Sequence, residues 1–108
     1  MAKKLGLILC STPDVKNGRK IAQKLLDEKL AACVSIISKM ESHYVWKGKR
    51  EQTKEVLLLI KAPKNSFKII EKTIRTLHPY ECPEILQIGV EQSFKEYLNW
   101  VFEETNQR

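Results

Sequence analysis

One alternating run constrains this chain more than any other feature. From residue 32 onward Ala32, Val34, Ile36, Ser38 and Met40 fall on one face, and Cys33, Ser35, Ile37 and Lys39 on the other, because successive side chains of a strand point to opposite sides. The alternation continues through Ser42, His43, Tyr44, Val45 and Trp46 and turns at Lys47-Gly48-Lys49. It returns through residues 55–62, whose centre Val56-Leu57-Leu58-Leu59-Ile60 is apolar on both faces. A strand of that length far exceeds the usual ~5–6 residues, so a bulge or bend is expected near residues 40–42. The hairpin outruns anything the remaining strands can cover, and its tip carries Tyr44, Val45 and Trp46. Long, partly apolar strands left open call for a partner, so self-association through the hairpin is expected, with Tyr44 and Trp46 in the interface.

The other elements fall around this hairpin. Residues 5–10 are a short apolar run that reads as a buried strand. Thr12 is suited to cap a helix with Pro13 at its first position and Asp14 in its first turn. Val15, Ile21, Ala22, Leu25 and Leu26 form the apolar stripe of that helix; Gly18 inside it has no evident sequence reason. Phe67, Ile70, Ile74 and Leu77 mark a second helix ending near His78, and residues 84–90 a fourth strand. Ser93-Phe94-Lys95-Glu96 reads as a capping box opening a last helix. The order β-α-β-β-α-β-α gives an α+β class, a ferredoxin-like βαββαβ sandwich with an extra C-terminal helix and a long hairpin between the second and third strands. No linker or repeat divides the 108 residues, so residues 1–108 are read as a single domain.

Charge and cysteine content narrow the functional classes. The net charge of +6 comes from 19 Lys and Arg against 13 Asp and Glu, but the two signs are interleaved, which describes a solvated surface. An RNA-recognition module on this fold needs aromatic platforms on its two central strands. Here those strands read Leu7-Ile8-Leu9 and Val56-Leu57-Leu58-Leu59-Ile60, so nucleic acid is excluded as a partner. No run approaches a membrane span, and the apolar start is too short for a signal peptide. Three cysteines, Cys10, Cys33 and Cys82, make no disulfide framework. The expected setting is reducing and cytoplasmic.

The stretch His78-Pro79-Tyr80-Glu81-Cys82-Pro83-Glu84 gathers the chemistry. Both His78 and Cys82 precede a proline and are expected to be extended. Imidazole and thiol suit soft metals, and Cys10 occupies the loop position where metal carriers of this fold hold a thiol. Against this stands a structural reading: Cys10 and Cys33 as small core residues, and His78 as a cap on helix-end carbonyls. Lys61, after the buried run, either snorkels or pairs with Glu84. Tyr44, Trp46, Tyr80 and Trp100 either pack or line a ligand groove. No nucleophile–base pair or phosphate loop is present, so an enzyme is not expected.

Several blocks in order make the chain resemble the CutA family of divalent-cation tolerance proteins. They are Ser11-Thr12-Pro13-Asp14, Leu26-Asp27-Glu28-Lys29-Leu30-Ala31-Ala32-Cys33, Tyr44-Val45-Trp46-Lys47-Gly48-Lys49, residues 55–61, residues 78–85 and Tyr97-Leu98-Asn99-Trp100. The resemblance implies a homotrimer, similar in shape to PII signalling proteins, that serves tolerance to copper and other divalent metal ions. It implies copper held by Cys10 and His78. Some members have a second histidine where this chain has Leu77, and Cys82 is a candidate to replace that donor or else simply packs. The alternative is a trimeric signalling or scaffold module that binds a small anionic ligand in a subunit cleft near Lys61, Tyr80, Glu84 and Trp100.

Overall fold

The computed structural model describes residues 3–106. The chain runs β1 (Leu5–Thr12), α1 (Val15–Asp27), β2 (Cys33–Trp46), β3 (Lys49–Pro63), a 3-10 turn (Lys64–Ser66), α2 (Phe67–Leu77), β4 (Ile85–Val90) and α3 (Lys95–Glu103). The four strands form one antiparallel sheet in the order β2-β3-β1-β4. The expected α+β architecture, its central strand pair, the long hairpin and the added helix are all present. No helix among the described residues is long and apolar enough to cross a membrane.

Strand alternation divides the sheet into two unlike faces. Ile8, Cys10, Val56, Leu58, Ile60 and Ala62 point to one side, where Ile21 and Leu25 of α1 and Ile70 and Ile74 of α2 close a fully apolar core. The centre of each predicted stripe is buried, Ile21, Ala22 and Leu25 in α1 and Ile70 and Ile74 in α2, whereas Leu26 turns outward and is 44% exposed. Leu7, Leu9, Leu57, Leu59, Leu86 and Ile88 alternate onto the other side. Only part of that side has cover, from α3, whose Val101 is fully buried. Ile37, Leu86 and Ile88 remain 44–49% exposed, an apolar surface left uncovered by the described residues.

The bulge falls slightly earlier than expected and changes the face assignment. Ile37 lies opposite Leu57, while Met40 lies opposite Glu55. Three steps along β2 match two along β3, so one residue is extra, and Lys39 adopts the left-handed φ of 63°. A one-residue insertion inverts every side chain beyond it. Met40 therefore leaves the face of Val34 and Ile36 and joins that of Ile37. Ser42, Tyr44 and Trp46 follow it, onto the same side as Glu55. The hairpin closes through Lys47 and Gly48, with φ of 51° and 79°, the paired positive φ values of a two-residue turn matched to strand twist.

Two helix starts differ from the sequence expectation. Thr12 does not cap α1. It precedes Pro13 and is held extended, so it ends β1, and its hydroxyl donates to the Asp14 carbonyl at 2.9 Å. Asp14 is the cap, its carboxylate accepting from the Asn17 N–H at 2.8 Å. The capping box at Ser93 also does not form. Phe94 is extended (φ −61°, ψ 125°) and takes the cap position without a side-chain hydrogen bond, which moves Glu96 one place too close to the helix start to reach back.

Tertiary packing supplies the missing reason for Gly18. A Cβ there would stand 3.1 Å from the Leu58 methyl group and 3.5 Å from the Thr12 hydroxyl, so the bare backbone lets α1 sit close on the sheet. Gly18→Val forces two further methyl groups into that contact. It is expected to lower stability by roughly 1–3 kcal/mol, measured as a shift in the urea midpoint with the slope unchanged.

Candidate functional site

The bulge and the loop after α2 together make a cleft. Beyond the bulge, Ser42, Tyr44 and Trp46 share a sheet face with Glu55 and Ser11, and the 79–84 loop folds over them. The cleft is open to solvent, has a volume of about 620 Å³ and is lined by these residues with His43, Tyr80, Glu81, Cys82 and Glu84. This is the size range of small-molecule sites.

His78 holds the loop in place. As a residue preceding proline it is extended (φ −78°, ψ 134°) and ends α2. Its ring is buried and uses both nitrogens: Nε2–H donates to the Ser11 carbonyl at 2.7 Å, and Nδ1 accepts from the Tyr80 N–H at 3.1 Å. The Tyr80 hydroxyl then donates to Glu55 Oε2 at 2.8 Å. Burial, followed by this bond and charge, lifts the Tyr80 hydroxyl above the ordinary phenol range. The loop is thus tied to the end of β1 through His78 and to β3 through Tyr80.

The three thiols sit in three environments. Cys10 has no exposure and faces the helix-side core. Burial first, then the charges of Glu84 and Glu55, push its thiol up to about 12. Cys33 is half-buried on the other face, not in the core. Cys82 is exposed at the cleft.

The copper ligands implied by the family resemblance do not fit as a pair. A metal ligand needs a free lone pair on imidazole and a thiol that gives up its proton. His78 has neither nitrogen free, and burial holds the proton on Cys10. Among the described residues no group of three His, Cys, Asp or Glu side chains is gathered as a metal would require.

The expected ligand cleft is partly assembled. Tyr80 and Glu84 line it together with Tyr44 and Trp46. Lys61 does not: its Nζ donates to Ser35 Oγ at 2.6 Å and to Cys33 Sγ at 3.7 Å, and within the chain it does not meet Glu84. Lys61 lies opposite Leu7 whereas Cys10 lies opposite Ile85, so the two charges belong to different ends of β1. Trp100 packs against Tyr97 within α3, the ring centroids 5.7 Å apart and the planes tilted by 39°, and is also outside the cleft. Sequence reasoning missed Glu55, Ser42 and Ser11. A carboxylate opening a buried strand was the available signal for Glu55; the other two depend on the bulge.

Comparison with known proteins agrees with this architecture. The family model of the CutA1 divalent ion tolerance protein matches residues 6–104. A divalent-cation tolerance protein CutA of Thermus thermophilus is 36% identical over 99 residues, covering 92% of this chain and 96% of that one. The solved structure of a divalent cation tolerance protein from the same organism superposes with a TM-score of 0.91 at 35% identity, covering 94% and 99% of the two chains. That of CutA1 from Oryza sativa gives 0.94 at 28% identity, covering 97% and 96%. With the fold, the long hairpin and nearly the whole length matched, the chain belongs to the CutA1 family of divalent ion tolerance proteins.

Proposed function

We propose that this protein serves divalent-cation tolerance as a homotrimer and takes up copper through Cys82 at the mouth of the cleft, not through Cys10 and His78. The contrast among the thiols carries this reading. Cys82 is the exposed one, beside Glu81 and Glu84, whereas Cys10 is fully buried and protonated. Thiolate is the donor that selects copper. With few fixed donors around it, the site is weak and exchangeable, suited to a tolerance role rather than to a resident cofactor.

Assembly is supported by a separate observation, the apolar sheet face around Ile37, Leu86 and Ile88. A face of that kind is covered by copies of the same chain when contacts close on themselves after a fixed number of subunits. Sedimentation equilibrium at micromolar concentration is expected to give three times the 12.5 kDa chain mass; a chain of single mass would refute the trimer.

Thiol labelling tests the metal reading. Treatment of the folded protein with an aromatic disulfide reagent is expected to modify Cys82 rapidly, and Cys10 only on unfolding. One equivalent of Cu(I) should protect Cys82. The raised Cys10 value also fixes a pH dependence. The folded state holds this proton more tightly than the unfolded chain, whose thiol titrates near 9.0. The contribution of Cys10 is complete below about pH 9 and is lost as pH rises toward about 12. Cys10→Ala should flatten that alkaline decline.

A further inference from the structure

A second group of reactive side chains lies away from the cleft. Cys33 and Lys61 are direct cross-strand partners of β2 and β3. Side chains so placed stand side by side, their Cβ atoms about 4.5–5.5 Å apart. Lys61 Nζ is turned back onto Cys33 Sγ at 3.7 Å and donates to Ser35 Oγ at 2.6 Å. The Ser35 hydroxyl lies 3.9 Å from the same sulfur. The Tyr97 hydroxyl of α3 bonds that sulfur too, and burial first, then Cys33, raises the phenol above its ordinary range. Among the described residues Lys61 forms no ion pair. A carboxylate therefore does not hold its amine; the thiol and the serine hydroxyl do.

This place admits small molecules rather than a macromolecule. Cys33 is half-buried, with Tyr97 of α3 against it. The bare apolar patch lies elsewhere on the face, at Ile37 and, across the sheet, at Leu86 and Ile88 of β4. A thiol oxidised to sulfenic acid condenses with whatever nucleophile stands beside it, and beside Cys33 that nucleophile is an amine.

From this juxtaposition we infer that Cys33 and Lys61 form a reversible peroxide-driven cross-link, a sulfur–nitrogen bond between β2 and β3. In the first step the Cys33 sulfur attacks hydrogen peroxide. An S–O bond forms, the O–O bond breaks and water leaves, giving the sulfenic acid. Lys61, having released its ammonium proton to solvent, then attacks that sulfur. The S–N bond forms, the S–O bond breaks, and the oxygen leaves as water with one proton from nitrogen. One thiol, one amine and one peroxide become one sulfenamide and two waters. An external thiol reverses it, taking the sulfur as a mixed disulfide that a second thiol reduces. The bond removes the charge of Lys61 and keeps Cys33 from irreversible oxidation to the sulfinic acid. It depends neither on copper at Cys82 nor on the trimer, and each can fail alone.

Peptide mapping of the intact reduced protein after hydrogen peroxide treatment tests it. Trypsin should release residues 30–39 joined to residues 55–64, uncut at Lys61, with a mass two hydrogen atoms below the sum of the two peptides. Dithiothreitol should separate them. The same treatment in denaturing urea should give at least tenfold less of the linked pair, because the strands no longer hold the groups together. Lys61→Arg keeps the charge but not the amine, and should raise labelling of Cys33 by dimedone, which traps sulfenic acid, at least fivefold. If that variant does not fold, the map of the parent decides alone. The inference is overturned if no linked pair forms, if the pair retains an oxygen atom, or if it forms equally in urea. Equal dimedone labelling of the parent and a folded Lys61→Arg overturns it as well.

Discussion

Ile88→Glu is expected to convert the proposed trimer to single chains at micromolar concentration while leaving each chain folded. Ile88 sits in β4 on the uncovered face and is 49% exposed, so a carboxylate there is hydrated in the isolated chain. In the assembly each copy would bring that carboxylate into an apolar contact. An unpaired charge taken out of water costs several kcal/mol, and each ~1.4 kcal/mol is a factor of ten in association. Leu86→Glu on the same face should add to the loss. Unchanged far-UV circular dichroism with a threefold drop in sedimenting mass is the predicted outcome. A variant that still sediments as the parent would mean that this face is not the contact.

His78→Ala is expected to cost about 2–4 kcal/mol of stability, from lost packing and two lost hydrogen bonds. The ring bridges the Ser11 carbonyl and the Tyr80 N–H, and its removal leaves the carbonyl without its imidazole donor and the loop free to lift. His78→Gln can restore a donor at that place and should recover part of the loss. Chemical denaturation measures the effect. A role as copper ligand predicts the opposite pattern, with stability nearly unchanged and copper affinity abolished.

Much of the fold was legible because it rests on periodicity. The stripes of α1 and α2, the buried runs of β1 and β3 and the two-residue turn at Lys47-Gly48 follow from local pattern and backbone preference. What the sequence concealed depends on position along a strand or on tertiary contact. One extra residue beside Lys39 moved Ser42, Tyr44 and Trp46 to the side of Glu55, and a shift of one residue cannot be placed by an alternating pattern whose register is not known. Gly18 became intelligible only with Leu58 beneath it. Asp14 rather than Thr12 capped α1 because Pro13 kept Thr12 in the strand.

The site shows the same division. The stretch from His78 to Glu84 announced itself by composition, and Tyr80, Cys82 and Glu84 do line one cleft. Residue type alone could not tell a ligand from a support. His78 and Cys10 have metal-binding chemistry but face inward, the one saturated with hydrogen bonds and the other protonated by burial. Lys61 has the charge for an anion site but directs it to Ser35, farther along the same strands than the cleft. Cys82, which the resemblance marked merely as a substitute donor, is the most exposed of the three thiols.

Titration of the fully reduced protein with Cu(I) against a competing chelator, carried out on the parent, Cys10→Ser and Cys82→Ser, decides which thiol takes up the metal. Cys82→Ser is expected to lose at least tenfold in copper affinity, and Cys10→Ser to bind like the parent. Loss of binding in Cys10→Ser with Cys82→Ser unaffected would contradict uptake at the cleft and return the metal to the end of β1.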